Sequence, residues 1–335
     1  MSAGGPDLGL VIVNWNVRDL LAACLDSIYV DLARGGLRAR VCVVDNGSED
    51  GSAAMVRQQF PHTRLVAAEN RGMGAGNNLG LRTLAAEDDF FAYLILNPDT
   101  LIQPGALRTL VEALRTRPRA GVIAPKLLNP DGSLQHSGFR FPGVIQAALD
   151  LYPPPGRLGR LLDSGWNGRY PARWYTAGTP FRVDHTLGAA FLVRAEALQP
   201  WGGELFDESF TMYCEEIDAQ WRLGRAGWES WVAPAAAVIH YGGRSTAQDP
   251  TRSFVHLWTS RRRLYRRYHG PVVNALVQGL VSAAMRGRIR ANHRRSQRGQ
   301  LTPDRRAELN QMLAEVVQVW QSRRGRVAID PRLTE

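Results

Sequence analysis

Lysine is almost missing from this 335-residue chain: Lys126 is the one lysine among 41 lysines and arginines together. That bias carries no functional weight. The formal charge of +10 at pH 7 does, since it asks for an acidic partner such as nucleic acid, anionic lipid or a phosphorylated substrate. Cysteine is scarce as well. Cys24, Cys42 and Cys214 are too few and too scattered for a disulfide framework or a zinc cluster. Each sits in an apolar pattern and reads as a buried small hydrophobe in a reducing compartment. Long hydrophobic runs are also lacking. No stretch reaches the roughly 18–20 apolar residues of a spanning helix. The N-terminal run LGLVIV is stopped by Asn14 and has no basic leader before it. A soluble or peripheral cytoplasmic protein is expected. The last absence is local: between Arg252 and Pro303 there are twelve arginines and no Asp or Glu.

What is present is enough for a large core, with 44% hydrophobic and 21% charged residues. The first hundred residues alternate strand and helix signals. LGLVIVN, RVCVVD, TRLVAAEN and FFAYLILNPD read as strands. A helix is expected from Arg18 to about Leu32, and two more at SAAMVRQQF and GAGNNLGLRTLAAE. Continuous rather than alternating apolar strands predict a parallel sheet covered on both faces. Ligands of such sheets sit beyond the carboxyl ends of the strands. There lie Asn14 and Asn16, Asp45, Asn70 and Arg71, and Asn97 and Asp99. Residues 142–180, rich in Pro, Gly, Arg and aromatics, read as a long, partly mobile loop. A strand is expected at HTLGAAFLVR, a helix from about Cys214 to Arg225, and strands at ESWVA and AAVIHY. The chain thus divides into an α/β domain, 1–250, and a basic helical extension, 251–335.

Seven motifs then occur in order: VNWNVRDLLAACLDSI, VVDNGSEDGS, ENRGMGAGNNLG, LNPDT, GAAFLVR, FDESFTMYCEEIDAQWRLGRAGW and VIHYGGRS. Together, over about residues 8–245, they resemble family-2 inverting glycosyltransferases, in the bacterial branch of rhamnosyltransferase-like enzymes. The resemblance implies a GT-A fold, Rossmann-like with a mainly parallel sheet, and single-displacement transfer from a nucleotide sugar. In that family the aspartate ending the second strand bonds the nucleotide base, which assigns Asp45; capping of the next helix by Asp45 and Ser48 is the competing use. Asn14, Asn16, Asn70, Arg71, Asn77 and Asn97 would line the donor pocket, and Gly188 and Ala189 would let a sugar lie against backbone. The glycines of GMGAGNNLG also suit a dinucleotide turn, but they follow the third strand rather than the first.

The family's Asp-x-Asp metal motif reads Asn97-Pro98-Asp99 here, so Asp99 and the downstream His240 would hold Mg²⁺ or Mn²⁺ with the diphosphate. The family base falls on Glu216, where Asp is usual, with Glu215 and Asp218 beside it. Asp218 can instead pair with Arg222 across one helical turn. The implied donor is dTDP-rhamnose or, second, a UDP-sugar, and the implied acceptor a lipid-linked saccharide of the envelope. Glu at 216 and Asn at 97 keep an alternative open: a subunit of the same fold that has lost transfer and serves membrane-bound assembly.

In the basic segment, PVVNALVQGLVSAAM flanked by arginines suits an interfacial helix on an anionic membrane. Nucleic acid is the charge-based rival but has no recognised motif here. From Thr302 and Pro303 a last helix carries Leu309, Met312, Leu313, Val316, Val317 and Trp320 on one face, to pack on the catalytic domain or on a second copy as a homodimer.

Overall fold

A computed structural model describes residues 7–242 and 250–322. Two compact units divide the chain: one holds the chain up to Phe141, Arg169–Thr211 and the stretch from Glu215, the other Pro142–Gly168, Met212–Cys214 and the C-terminal helices. The expected boundary near residue 250 therefore misses two insertions.

In the α/β unit, β1 (Leu8–Asn14), β2 (Ala39–Asp45), β3 (Arg64–Ala67) and β4 (Ala92–Leu96) alternate with α1 (Arg18–Gly35), α2 (Ser52–Gln59) and α3 (Met73–Ala85). These strands run parallel in the order β3-β2-β1-β4. β1 and β4 are buried at every residue, as their unbroken apolar sequences require. After β5 (Thr100–Ile102), α4 (Ala106–Arg115), β6 (Ala120–Leu128), β7 (Leu134–Gln135) and β8 (Gly138–Phe139), the chain enters the helical unit with α5 (Val144–Leu151). It returns through α6 (Ala172–Thr176), β9 (Phe181–Val183), β10 (His185–Thr186) and β11 (Ala190–Arg194), then α7 (Glu215–Arg225) and β12 (Glu229–His240). β11 lies antiparallel between β4 and β6, β6 pairs parallel with β12, and β5 closes that edge.

Two cores cover the sheet's faces, one under α1 and α4, the other under α3. The glycine motif explains the second. A Cβ on Gly80 would sit 2.4 Å from Val11 Cγ1, and one on Gly76 2.8 Å from Val13 Cγ1, so α3 lies directly on β1. Those glycines are packing residues rather than a phosphate turn. Arg194 closes the far end by donating to the carbonyls of Leu114, Arg117 and Ala120. Cys24, Cys42 and Cys214 are buried, as expected.

Residues 142–180 are not the long loop expected. They carry α5, the 3-10 turns Gly156–Asp163 and Gly165–Asn167, and α6. In the helical unit α5 joins α8 (Pro250–Tyr268), α9 (Pro271–Gln297) and α10 (Pro303–Gln321) around Trp258, Tyr265, Val281, Met285 and Trp320. Tyr265 Oη donates to Gly143 O at 2.8 Å, and Trp320 Nε1 to Trp258 O at 3.0 Å. The apolar stripe of α10 is thus spent inside this unit: Leu313, Val316 and Trp320 are core. Part of the α9 insert is core too: Val277, Val281 and Met285 are fully buried. The large apolar side chains that the insert leaves exposed are Val272 and Leu276. Among the described residues no helix is long and apolar enough to cross a membrane.

Candidate active site

The site lies where β1, β2 and β4 end and β11 begins. Asn14 and Asp45 are register partners on neighbouring strands. Asn14 Nδ2 donates to Asp45 Oδ1 at 3.0 Å and to Ser48 Oγ at 3.0 Å, while Ser48 N donates to Asp45 Oδ2 at 3.1 Å. The capping use of Asp45 is not what forms: α2 has Gly51 at its N-cap position without a side-chain cap bond, and Asp45 accepts instead from Ser48 N in the loop before it. One bond on each oxygen fixes the carboxylate, and each oxygen keeps a further lone pair. Asn16, at φ 52°, bonds Ser48 Oγ through its N–H and accepts from Glu49 N, so it shapes the loop behind Asp45.

The segment before α3 divides its tasks. Asn70 Oδ1 accepts from Gly72 N at 3.1 Å, and exposed Arg71 pairs with Glu208 at 3.1 Å. Their polar groups thus engage the approach to α3. A Cβ on Gly72 would lie 2.2 Å from the Thr211 carbonyl, and its φ of +97° also favours glycine. Asn77 is buried, donates to Met73 O at 3.0 Å, and leaves Oδ1 without a partner. Two further residues hold this segment. Asn46 Nδ2 reaches Gly72 O at 3.4 Å, and buried Asn78 donates to Phe206 O at 2.8 Å while accepting from Leu205 N and Phe206 N. Asn-rich runs next to glycine were the only signal for them.

The Asn97-Pro98-Asp99 turn is tied to β11, because Asn97 N donates to Ala189 O at 2.8 Å. Thr100 pairs with His240 across β5 and β12, and Tyr241 N donates to Asp99 O. This places His240 Nε2 3.4 Å from Asp99 Oδ1, both side chains being about nine-tenths buried. His240 Nδ1 lies 2.7 Å from Gln135 Oε1. The last part of the VIHYGGRS motif, from Gly243, lies outside the described residues.

α7 supplies the acids. Tyr213 and Cys214, at φ 66° and 65°, turn the chain sharply before its first residue. Gln220, one turn beyond Glu216 and also missed from the sequence, locks α7 to β10. Its Oε1 accepts from Thr186 N at 2.8 Å and its Nε2 donates to Thr186 O at 3.1 Å. A Cβ on Gly188 would lie 3.4 Å from Glu216 Cβ and Cγ, so the Glu216 side chain covers that glycine. Burial pushes the Glu216 carboxyl up. Burial, then the charge of Glu216, pushes Glu215 up as well. Glu215 Oε2 is buried without a partner, a poor place for charge, whereas backbone N–H groups, that of Ile217 among them, favour the charged form of Glu216. Asp218 does not join them. It is fully buried and bonded to Arg222 at 2.9 Å, the pairing across one helical turn that its spacing allowed.

Residues 10–139 match the family described as Glycosyl transferase family 2. The N-acetylglucosaminyl-diphospho-decaprenol L-rhamnosyltransferase of Mycobacterium tuberculosis is 34% identical over 227 residues, covering 63% of this chain and 69% of that protein. The chain belongs to glycosyl transferase family 2. Rhamnosyltransferase WbbL of Escherichia coli K12 is 23% identical over 265 residues, covering 77% of this chain and 92% of that one. Among solved structures, GalNAc-T7 with UDP, GalNAc and Mn²⁺ superposes with a TM-score of 0.55 at 13% identity. The match covers 79% of this chain and about half (48%) of the other, and establishes the fold as GT-A.

As a glycosyltransferase of this fold, the chain can be tested for a metal site. Asp99 and His240 fit one in donor chemistry, as an oxygen from the turn before β5 and a nitrogen from the end of β12. Among the described residues no group of three metal-ligating side chains exists, so the remaining ligands would be diphosphate oxygens and water.

Proposed function

We propose that the enzyme transfers rhamnose, with inversion, from a nucleoside diphosphate donor to a hydroxyl of a lipid-linked saccharide in cell-envelope polysaccharide synthesis. The observation that carries this reading is the position of Gly188-Ala189. The Glu216 side chain lies against Gly188, while Ala189 O holds the turn leading to Asp99. A proton acceptor and a diphosphate anchor thus flank one short backbone segment without side-chain bulk, where a sugar can lie.

The chemistry follows from those groups. Glu216 takes the proton of the acceptor hydroxyl as its oxygen attacks the anomeric carbon. The bond from that carbon to phosphate breaks, and its electron pair leaves on the diphosphate. Asp99 and His240 would hold Mg²⁺ or Mn²⁺, which neutralises the leaving diphosphate. Asp45, fixed by Asn14 and Ser48, would accept from the N3–H of thymine or uracil; dTDP is the first expectation and UDP the second. The orphaned Oδ1 of Asn77 is a further donor-side acceptor. The relatives named as rhamnosyltransferases support the sugar, and the decaprenyl diphosphate in one name supports the acceptor.

The helical unit is assigned to an anionic membrane surface. It exposes Ile145, Tyr152, Leu158, Trp166, Val272 and Leu276, each at least 49% accessible, beside an arginine-rich and acid-free sequence. The decisive experiment is a single-turnover assay with dTDP-rhamnose and UDP-sugars on a polyprenyl-diphosphate saccharide, with the product anomer read by NMR. Transfer with retained configuration, or nucleotide binding without transfer to any such acceptor, would overturn the proposal.

A further inference from the structure

The hairpin between β6 and β7 supplies none of the groups assigned above, yet its hydrogen bonds end on His240. The turn is tight: Asn129 N donates to Ser133 O, Gly132 N to Asn129 O, and Gly132 has φ +82°. Register does the rest. Gln135 pairs with Leu127 on β6, and Leu128 pairs with Ile239 on β12, which sets Gln135 beside His240.

The side-chain bonds run in one direction. An ionised aspartate can only accept, so Ser133 Oγ donates to Asp131 Oδ1 at 2.6 Å. Ser133 Oγ then accepts from Asn129 Nδ2 at 2.9 Å. Asn129 Oδ1 in turn accepts from Gln135 Nε2 at 3.2 Å, which turns Gln135 Oε1 toward His240 Nδ1 at 2.7 Å. An amide oxygen accepts, so Nδ1 carries a proton, which leaves Nε2 as the ring nitrogen that can ligate a cation. Nε2 faces Asp99 Oδ1 at 3.4 Å, so one cation can take both as ligands.

We infer that Gln135 is a positioning residue: oriented by Asn129, it fixes the tautomer and ring angle of His240 so that Nε2 and Asp99 converge on a divalent cation. This rests on Asp99 and His240 being the metal ligands. A purely structural Gln135 would hold the hairpin and leave metal affinity alone. Partners that fix a ligating histidine in this way typically change metal affinity by about 10–100-fold.

The test is Mn²⁺ titration of the full chain followed by EPR of the free ion, with circular dichroism as the fold check. Gln135→Leu should weaken Mn²⁺ about 10–100-fold. Gln135→Glu, whose carboxylate accepts from the same Nδ1–H, should stay close to wild type. Asn129→Asp keeps the acceptor for Gln135 Nε2 and should also stay close, although it removes the bond to Ser133. If Gln135→Leu does not fold, Gln135→Met gives the same comparison with an unbranched chain of similar length. Folded Gln135→Leu or Gln135→Met with wild-type Mn²⁺ affinity would overturn the inference and leave the metal reading standing. Wild-type protein with no saturable Mn²⁺ binding, and none restored by dTDP or UDP, would overturn both.

Discussion

The carboxylate pair at the start of α7 makes a prediction that separates two adjacent residues. In wild type, kcat/KM should rise with pH through a midpoint above the usual glutamate value near 4.3, because the base must lose its proton and burial holds that proton on. Glu216→Gln keeps the size and the backbone bonds but removes basicity. It should lower kcat/KM by about 10²–10⁴ and abolish the acidic limb. Glu216→Asp should retain more activity than Glu216→Gln, since it keeps a base at shorter reach. Glu215→Gln should act differently. Burial is the leading cause of the Glu216 shift, so the limb should persist with turnover near wild type. Stability gives a second readout. A carboxyl whose folded pKa is raised contributes stability that is present below its unfolded pKa and lost as pH rises through the folded one. Glu215→Gln should therefore raise Tm at pH 9 more than at pH 5. The assay is a pH series of initial rates alongside thermal melts. Near-normal turnover in Glu216→Gln, with the loss appearing in Glu215→Gln, would move the base and refute the reasoning from Glu215's unpartnered oxygen.

Four further outcomes are expected. Asp45→Asn should weaken dTDP or UDP binding by calorimetry; Asp45→Ala should in addition cost about 1–3 kcal/mol in a urea melt, by stripping acceptors from Asn14 and Ser48. Gly80→Ala should destabilise by about 1–3 kcal/mol, since its Cβ meets Val11, with little change in turnover per folded molecule. Asp99→Ala and His240→Ala should each abolish metal-stimulated turnover, and EDTA should do the same to wild type; a rate indifferent to chelator defeats both assignments. Leu158→Ser with Trp166→Ser should reduce the salt-resistant part of sedimentation with anionic liposomes, whereas tight DNA or RNA binding without liposome binding would defeat the membrane assignment.

What was legible in the sequence tracks how local the cause is. β1 and β2 could be read almost to the residue because an unbroken apolar run ending on Asn14 or Asp45 has one good place in a parallel sheet. Seven motifs in order likewise carried the fold and most candidate residues. Long-range pairing is where reading failed. The α9 insert reads in sequence as one apolar run, yet Val277, Val281 and Met285 pack in one core with Ala147, Trp258 and Trp320, all distant in sequence. Gln135 carried no signal as a lone amide in a polar turn. Its significance comes from the β6–β12 register, which sets a two-residue strand against a histidine 105 positions away. The residues that handle charge are written in the local sequence; those that aim them are fixed by pairings between distant strands. A departure from the family pattern such as Asn97 should therefore be judged by that supporting hairpin as well as by the ligands themselves.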